Sequence, residues 1–160
     1  MPINRRMSDA QVHAYFQKIP PQFHDVILFN LSYVGELCVN LARSTNTYID
    51  QTGNLRNSIG YVIVHNGKVI KSGFTRSATV KGSGKKASKG SFSGVRTGED
   101  LANQLAAGYD SGYALIVVAG MNYAASVESR GLDVLTSAEQ LAESVVPTIL
   151  RQLKVEFEKR

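Results

Sequence analysis

From Pro21 to Arg43 the chain carries apolar residues around so much of a helical circumference that no single layer could cover them. Phe23, Ile27, Leu31, Val34, Cys38 and Leu41 recur at spacings of four and three, which defines one continuous helical stripe. Val26, Leu28, Phe29, Tyr33, Leu37 and Val39 widen it almost around the cylinder. A helix apolar on so many sides must be covered on more than one face. It is therefore either the central helix of the fold or in part a contact with another subunit. Pro21 suits its first turn, where the missing N–H has no partner anyway. Before it, Ser8-Asp9 offers a helix start, and AQVHAYFQKI supplies about three turns before Pro20-Pro21 interrupts, giving a helical extension over residues 1–20. Cys38, the single cysteine of the chain, lies on the apolar stripe and reads as a buried thiol; an intrachain disulfide is excluded.

Strand signals follow. Ile59 to His65 (IGYVIVH) is β-branched and aromatic, Asn66-Gly67 is the preferred two-residue hairpin turn, and Lys68 to Phe74 returns. Tyr113 to Ala119 (YALIVVA) is a continuous apolar run bounded by glycines, as in a buried strand. Between them, Glu99 to Tyr109 has the composition of a short helix with Leu101, Leu105 and Ala106 on one face. Met121 to Ser129 fits helix or loop. Thr136 with Glu139 three residues on reads as a capping box opening a last helix. That helix turns Ala138, Leu141, Ala142, Val145, Ile149, Leu153 and Phe157 inward, and Pro147 is expected to kink or split it. The order of elements predicts a single α+β domain over residues 1–160: a small, mostly antiparallel sheet packed against a long central helix and a C-terminal helix.

Charge is concentrated in one place. Eighteen Lys and Arg against thirteen Asp and Glu give +5. Arg76, Lys81, Lys85, Lys86, Lys89 and Arg96 lie between Thr75 and Thr97 with no acidic residue among them, so the rest of the chain is nearly neutral. This stretch holds four glycines and five serines, too little apolar surface to offset the entropy of ordering, which predicts a flexible basic loop over residues 75–97. It is either a solvated insertion or an arm that orders against an acidic partner or DNA.

Chemistry-bearing patterns are sparse. Gly-Ser-Gly-Lys-Lys at Gly82 to Lys86 lacks the first glycine and the Ser or Thr of a phosphate loop. Gly90-Ser-Phe-Ser-Gly94 has Phe92 where a nucleophile elbow has serine. His13, His24 and His65 lack metal-ligand spacing and read as surface or half-buried structural residues. Asp50, Glu128, Asp133, Glu139 and Glu143 could approach one another, but no spacing marks an acid–base pair. No catalytic, metal or cofactor-binding residues are assigned. No uninterrupted apolar run approaches the roughly 18–20 residues of a bilayer span, so no membrane contact is expected.

Two short blocks carry a family resemblance. The first is D-Q-T-G-N-L-R-N-S-I at Asp50 to Ile59, after a long amphipathic helix; the second is V-A-G-M-N-Y-A-A-S-V-E at Val118 to Glu128, after a strand. In this order they resemble the tail-component (tail-completion or neck) proteins of long-tailed bacteriophages and prophages, whose pattern is T-G-x-L-R-x-S-I, strands, V-G-x-x-x-x-Y-A-x-x-V-E and a C-terminal helix. Thr52, Gly53, Leu55, Arg56, Ser58 and Ile59 match the first block, and Gly120, Tyr123, Ala124, Val127 and Glu128 the second. The approach Tyr48-Ile49-Asp50-Gln51 and the stretch Ser129 to Leu135 depart from the pattern. The resemblance implies a non-enzymatic virion protein at the head–tail junction, in the virion and in the host cytoplasm during assembly. Its implied partners are copies of itself in a ring and other neck or tail proteins.

The residues of the blocks have roles that physics alone can assign. Asp50 or Thr52 can cap the turn Asn54 to Asn57, Gly53 allows a sharp change of direction, Leu55 packs inward, and Arg56 offers its guanidinium to a carboxylate or to backbone carbonyls. Glu128 is one partner Arg56 could take, joining the blocks. A small nucleic-acid-binding protein using the basic loop is the competing expectation.

Overall fold

The computed structural model describes residues 20–76 and 93–159, with Ala10 and Ala14 ahead of them. Lys81, Lys85, Lys86, Lys89 and most of the expected N-terminal extension thus lie outside the described residues. The fold is α+β, as the order of elements predicts.

A 3-10 turn, Pro21–Phe23, leads into α1, His24–Ser44, with Pro21 in the first turn. A one-turn helix α2, Asn54–Asn57, then delivers the chain to β1, Ile59–His65, and β2, Lys68–Ser72. Asn66 (φ 50°) and Gly67 (φ 77°) both adopt left-handed backbone, the geometry a two-residue type I′ hairpin turn requires. Helix α3, Ser93–Ala106, precedes β3, Tyr113–Ala119; α4, Ala124–Ser129, and α5, Thr136–Glu158, complete the chain. The sheet is antiparallel with order β2-β1-β3.

The central strand explains the layers. Alternate residues of β1 point to opposite faces, and both faces are covered, so Ile59 through Val64 are all buried. Ile59, Tyr61 and Ile63 join Val34, Cys38, Val39 and Ala42 of α1 in one core; Val62 and Val64 join Ala102 and Ala106 of α3, with Ile116 and Val118 of β3, in the other. Tyr61 is fully buried, and there is space for its ring because Gly35 and Gly73 flank it: a Cβ on either would approach the ring to 2.7 or 2.1 Å. Helix α5 packs along α1, with Phe157 edge-on to Phe23 at 4.1 Å.

Of the expected stripe Phe23, Ile27, Val34 and Cys38 are buried and Leu31 and Leu41 half-buried, while Phe29 and Tyr33, which widen it, are exposed. By length and composition the stretch Pro21–Ser44 (mean hydropathy 1.3) would also suffice to cross a membrane, although it holds no long uninterrupted apolar run. In this fold it is the helix on which both the sheet and α5 pack.

Three expectations need correction. Helix α3 is already formed at Ser93, well before Glu99, so Arg96 belongs to a helix and not to a flexible loop, and Leu105 is 45% exposed while Ala102 and Ala106 face the sheet. The small residues are the reason. Gly94 and Gly98 lie against backbone, where a Cβ would meet Asn54 O at 2.4 Å and Ser58 O at 2.2 Å, so the face of α3 that packs is its glycine–alanine face. Of the two outcomes expected at Pro147, a kink or a split, the split does not occur: helix α5 is continuous through it. Finally, the Thr136–Glu139 capping box does not form, because carboxylates from outside the helix take its place, as described next.

Candidate functional site

The two resemblance blocks converge at one end of the sheet. Gly53, at φ 75°, turns the chain into α2. The Asp50 carboxylate accepts the Arg56 N–H at 2.8 Å and the Thr52 hydroxyl accepts the Asn54 N–H at 3.3 Å, so both expected caps are used. Leu55 and Ile59 are buried in the α1-side core. Ser58, fully buried, is the hinge pin between the blocks. Its carbonyl accepts the Gly120 N–H at 3.2 Å, and its hydroxyl accepts the Met121 N–H at 3.3 Å while donating to Leu55 O at 2.7 Å. Gly120 has no room for a side chain, since a Cβ would lie 2.3 Å from Gly98 Cα. Ala124 is buried in the same core as Leu55, Val127 is half-buried against it, and Tyr123 is 39% exposed.

Arg56 and Glu128 do not pair. The Arg56 guanidinium donates to Thr45 O (2.7 Å) and Tyr48 O (3.3 Å) and lies 4.6 Å from the centre of the Tyr48 ring. Burial pushes the Tyr48 hydroxyl up to about 12. Glu128 instead accepts the N–H groups of Leu135 (3.1 Å) and Thr136 (2.9 Å) and the Thr136 hydroxyl, while Asp133 accepts the Ser137 N–H at 3.1 Å. Each charge thus meets backbone of the opposite polarity: a cation on free carbonyls, anions on the unpaired amides that open α5. Thr136 donates to a carboxylate and does not cap.

A second arginine at this junction was not singled out from the sequence. Arg43, in the last turn of α1, donates to Arg56 O (3.1 Å), Ile59 O (2.7 Å) and Thr75 O (2.9 Å), tying α1 to α2, β1 and the strand exit. Burial lowers its pKa, and Glu36 partly offsets the effect. The available signal was a lone cation ending an otherwise apolar helix. Arg76 is exposed at the limit of the described residues, and Arg96, on α3, lies 3.9 Å from Asp100 on the same exposed face.

The opposite side of α1 holds an open groove of about 580 Å³ between α1, β3 and α5. Ile27, Leu31, Val34 and Cys38 form one wall and Ala142, Val146, Ile149 and Leu153 the other; Leu115 and Val117 of β3 form the floor. Its polar groups are Asn30, Tyr113 and Glu139. Cys38 is buried at the base, with its thiol pushed up by burial and directed to Ala138 O at 3.6 Å, which is a structural role and not that of a nucleophile. Among the described residues no three His, Cys, Asp or Glu side chains are gathered as a metal site would gather them.

One polar cluster at the groove's end was not legible in the sequence. His24, in the first turn of α1, hydrogen-bonds the Tyr113 hydroxyl, and His65 stacks on the Tyr113 ring at 4.2 Å. The two imidazoles are 5.3 Å apart. Burial, and then the neighbouring His24, lower the pKa of His65. Chain spacing could not bring His24 near His65, although the hairpin register does set His65 opposite Tyr113.

On the outer side of α1, Phe29 is 72% and Tyr33 53% exposed, one helical turn apart. Comparison with family models, with curated proteins and with solved structures finds no match for this chain.

Proposed function

We propose that this protein is a non-enzymatic structural component of a bacteriophage or prophage virion at the head–tail junction, a tail-completion or neck protein that works by self-association and docking onto neighbouring virion proteins. The observation that supports the reading is apolar surface beyond what the described residues of one copy cover. Phe29 and Tyr33 stand exposed on α1, and an apolar groove opens between the same helix and α5. Isolated exposed apolar residues are ordinary, but two large aromatics one turn apart on the outer side of α1, with an apolar groove on its other side, mark surface that partners cover. The polar groups of the two resemblance blocks are spent inside the chain, on backbone carbonyls and amides. The blocks therefore act as the scaffold of the assembly unit, and the adhesive surface lies elsewhere, on α1 and α5.

A ring of this kind needs contacts burying more than about 2,000 Å² in total. Light scattering of the full chain at high concentration is expected to give a closed oligomer. Replacing Phe29 and Tyr33 together by Ser is expected to change stability by no more than about 0.5 kcal/mol per site, as for exposed positions, while weakening assembly or docking onto proteins encoded beside its gene. A wild-type monomer that also fails to bind those neighbours overturns the reading.

A further inference from the structure

We infer that the groove between α1, β3 and α5 receives residues 8–19 of a second copy of this chain. The inference rests on the self-association proposed above and names one of its contacts. Pro20, where the described chain begins, has extended backbone (φ −59°, ψ 147°), as a residue before a proline must. Ile19, also before a proline, is restricted in the same way. The joint to the preceding segment is thus a short, stiff spacer. A tight return onto the same copy's groove would need a compact helix–helix loop. Exchange of a terminal segment between copies across a stiff joint is a low-cost way to associate.

The segment has the pattern the groove requires. Ala10 and Ala14, its two described residues, are helical and exposed. By sequence spacing Val12, Tyr15, Phe16 and Ile19 recur at i, i+3, i+4 and i+7, a pattern that on a helix would centre opposite Ala10 and Ala14. Residues 8–19 as a helix span about 18 Å, and the α5 wall from Leu135 to Leu153 about 27 Å, so the stripe fits within the groove. The volume of about 580 Å³ holds several large side chains. Charge agrees with the placement: Glu139 lines the groove and Glu143 lies one turn along α5, whereas the segment and its approach carry Arg5, Arg6 and Lys18 against the single acidic Asp9.

The single cysteine makes the inference directly testable, because buried Cys38 can be replaced by Ser and Leu150, 43% exposed on the α5 wall of the groove, by Cys. In that background Val12, Tyr15, Phe16 and Ile19 are replaced by Cys one at a time in the full chain, and each variant is oxidised at mildly alkaline pH. At least one is expected to yield disulfide-linked dimers or a ladder on a non-reducing gel, absent when Leu150 is retained. Deletion of residues 1–19 is expected to shift the assembled form to monomer in light scattering. A fast-migrating intrachain disulfide would exclude the second copy, and no cross-link at any of the four positions would exclude docking in the groove. Assembly of the wild-type protein with no cross-link in any of the four variants sinks this inference alone, whereas wild-type protein that stays monomeric removes the self-association beneath it as well.

Discussion

The two ends of α1 are fastened in opposite ways. At its C-terminal end Arg43 and Arg56 reach five backbone carbonyls between them, and Ser58 bonds to the strand exit at Gly120 and Met121. Glycines there let backbone meet backbone at distances that leave no room for a side chain. At the N-terminal end the fastening is Phe23 packed on Phe157 together with two imidazoles and a phenol, beside an apolar groove that no part of the described chain fills. The closed end is saturated from within and gives a partner little to bind. Among the described residues the open end leaves an apolar groove unfilled, and under the proposed function that groove is the surface offered to a neighbour.

The sharpest way to break this contrast is at Arg43. Arg43→Met keeps much of the apolar stem but leaves three carbonyl acceptors, two of them on the carbonyls of Arg56 and Ile59 at the core junction. Hydrogen bonds to a charged group contribute about 1.5–3 kcal/mol each, and their loss strands buried acceptors. The expected destabilisation is about 3 kcal/mol or more, read as a lower urea midpoint with an unchanged slope. Arg43→Lys should recover only part of it, since a point charge cannot fork to several carbonyls. A loss below about 1 kcal/mol would mean the junction is not closed by this residue.

Glu128 sharpens the contrast with a smaller effect. It acts as an external cap, so Glu128→Ala is expected to cost about 1–2 kcal/mol. Because its carboxylate and the Arg56 guanidinium address different backbone groups, a double-mutant cycle with Arg56→Gln should be additive within about 0.5 kcal/mol. A larger coupling would show that the two charges meet after all.

How much of this was legible in the chain divides along the same line. Local patterns were: the Asn66-Gly67 turn, the strands Ile59–His65 and Tyr113–Ala119, the stripe of α1, and the cap residues Asp50 and Thr52 all follow from spacing and from the chemistry of single residues. What depended on close approach was not. Gly94 and Gly98 read as loop glycines because a sequence shows their freedom and not their smallness, and only the fold sets them against Asn54 and Ser58. Thr136 looked like a cap because Glu128, eight residues earlier, competes for the same amides only once α4 has folded back. The groove was invisible because its walls come from three elements that each satisfy their own amphipathic pattern.

Acidification tests the open end, with the smallest expected effect. Burial and the nearby His24 lower the folded-state pKa of His65 below the ordinary imidazole value of 6.5. A base whose folded pKa is depressed binds fewer protons folded than unfolded, so stability rises with pH across the window between the two values. The contribution of His65 is therefore complete above about 6.5 and is lost as pH falls through that value toward the lower folded pKa. The charged form would be held against His24 and the Tyr113 ring, with Asp25 on the first turn of α1 the nearby carboxylate that acts on Tyr113. The melting temperature is expected to decline on acidification through this window, and His65→Gln is expected to flatten that part of the profile. The arginine-fastened end should show no such inflection, because guanidinium does not titrate there. A profile unchanged by the substitution would place the weak point of the fold away from the mouth of the groove, and the two ends of α1 would no longer differ in the way their chemistry requires.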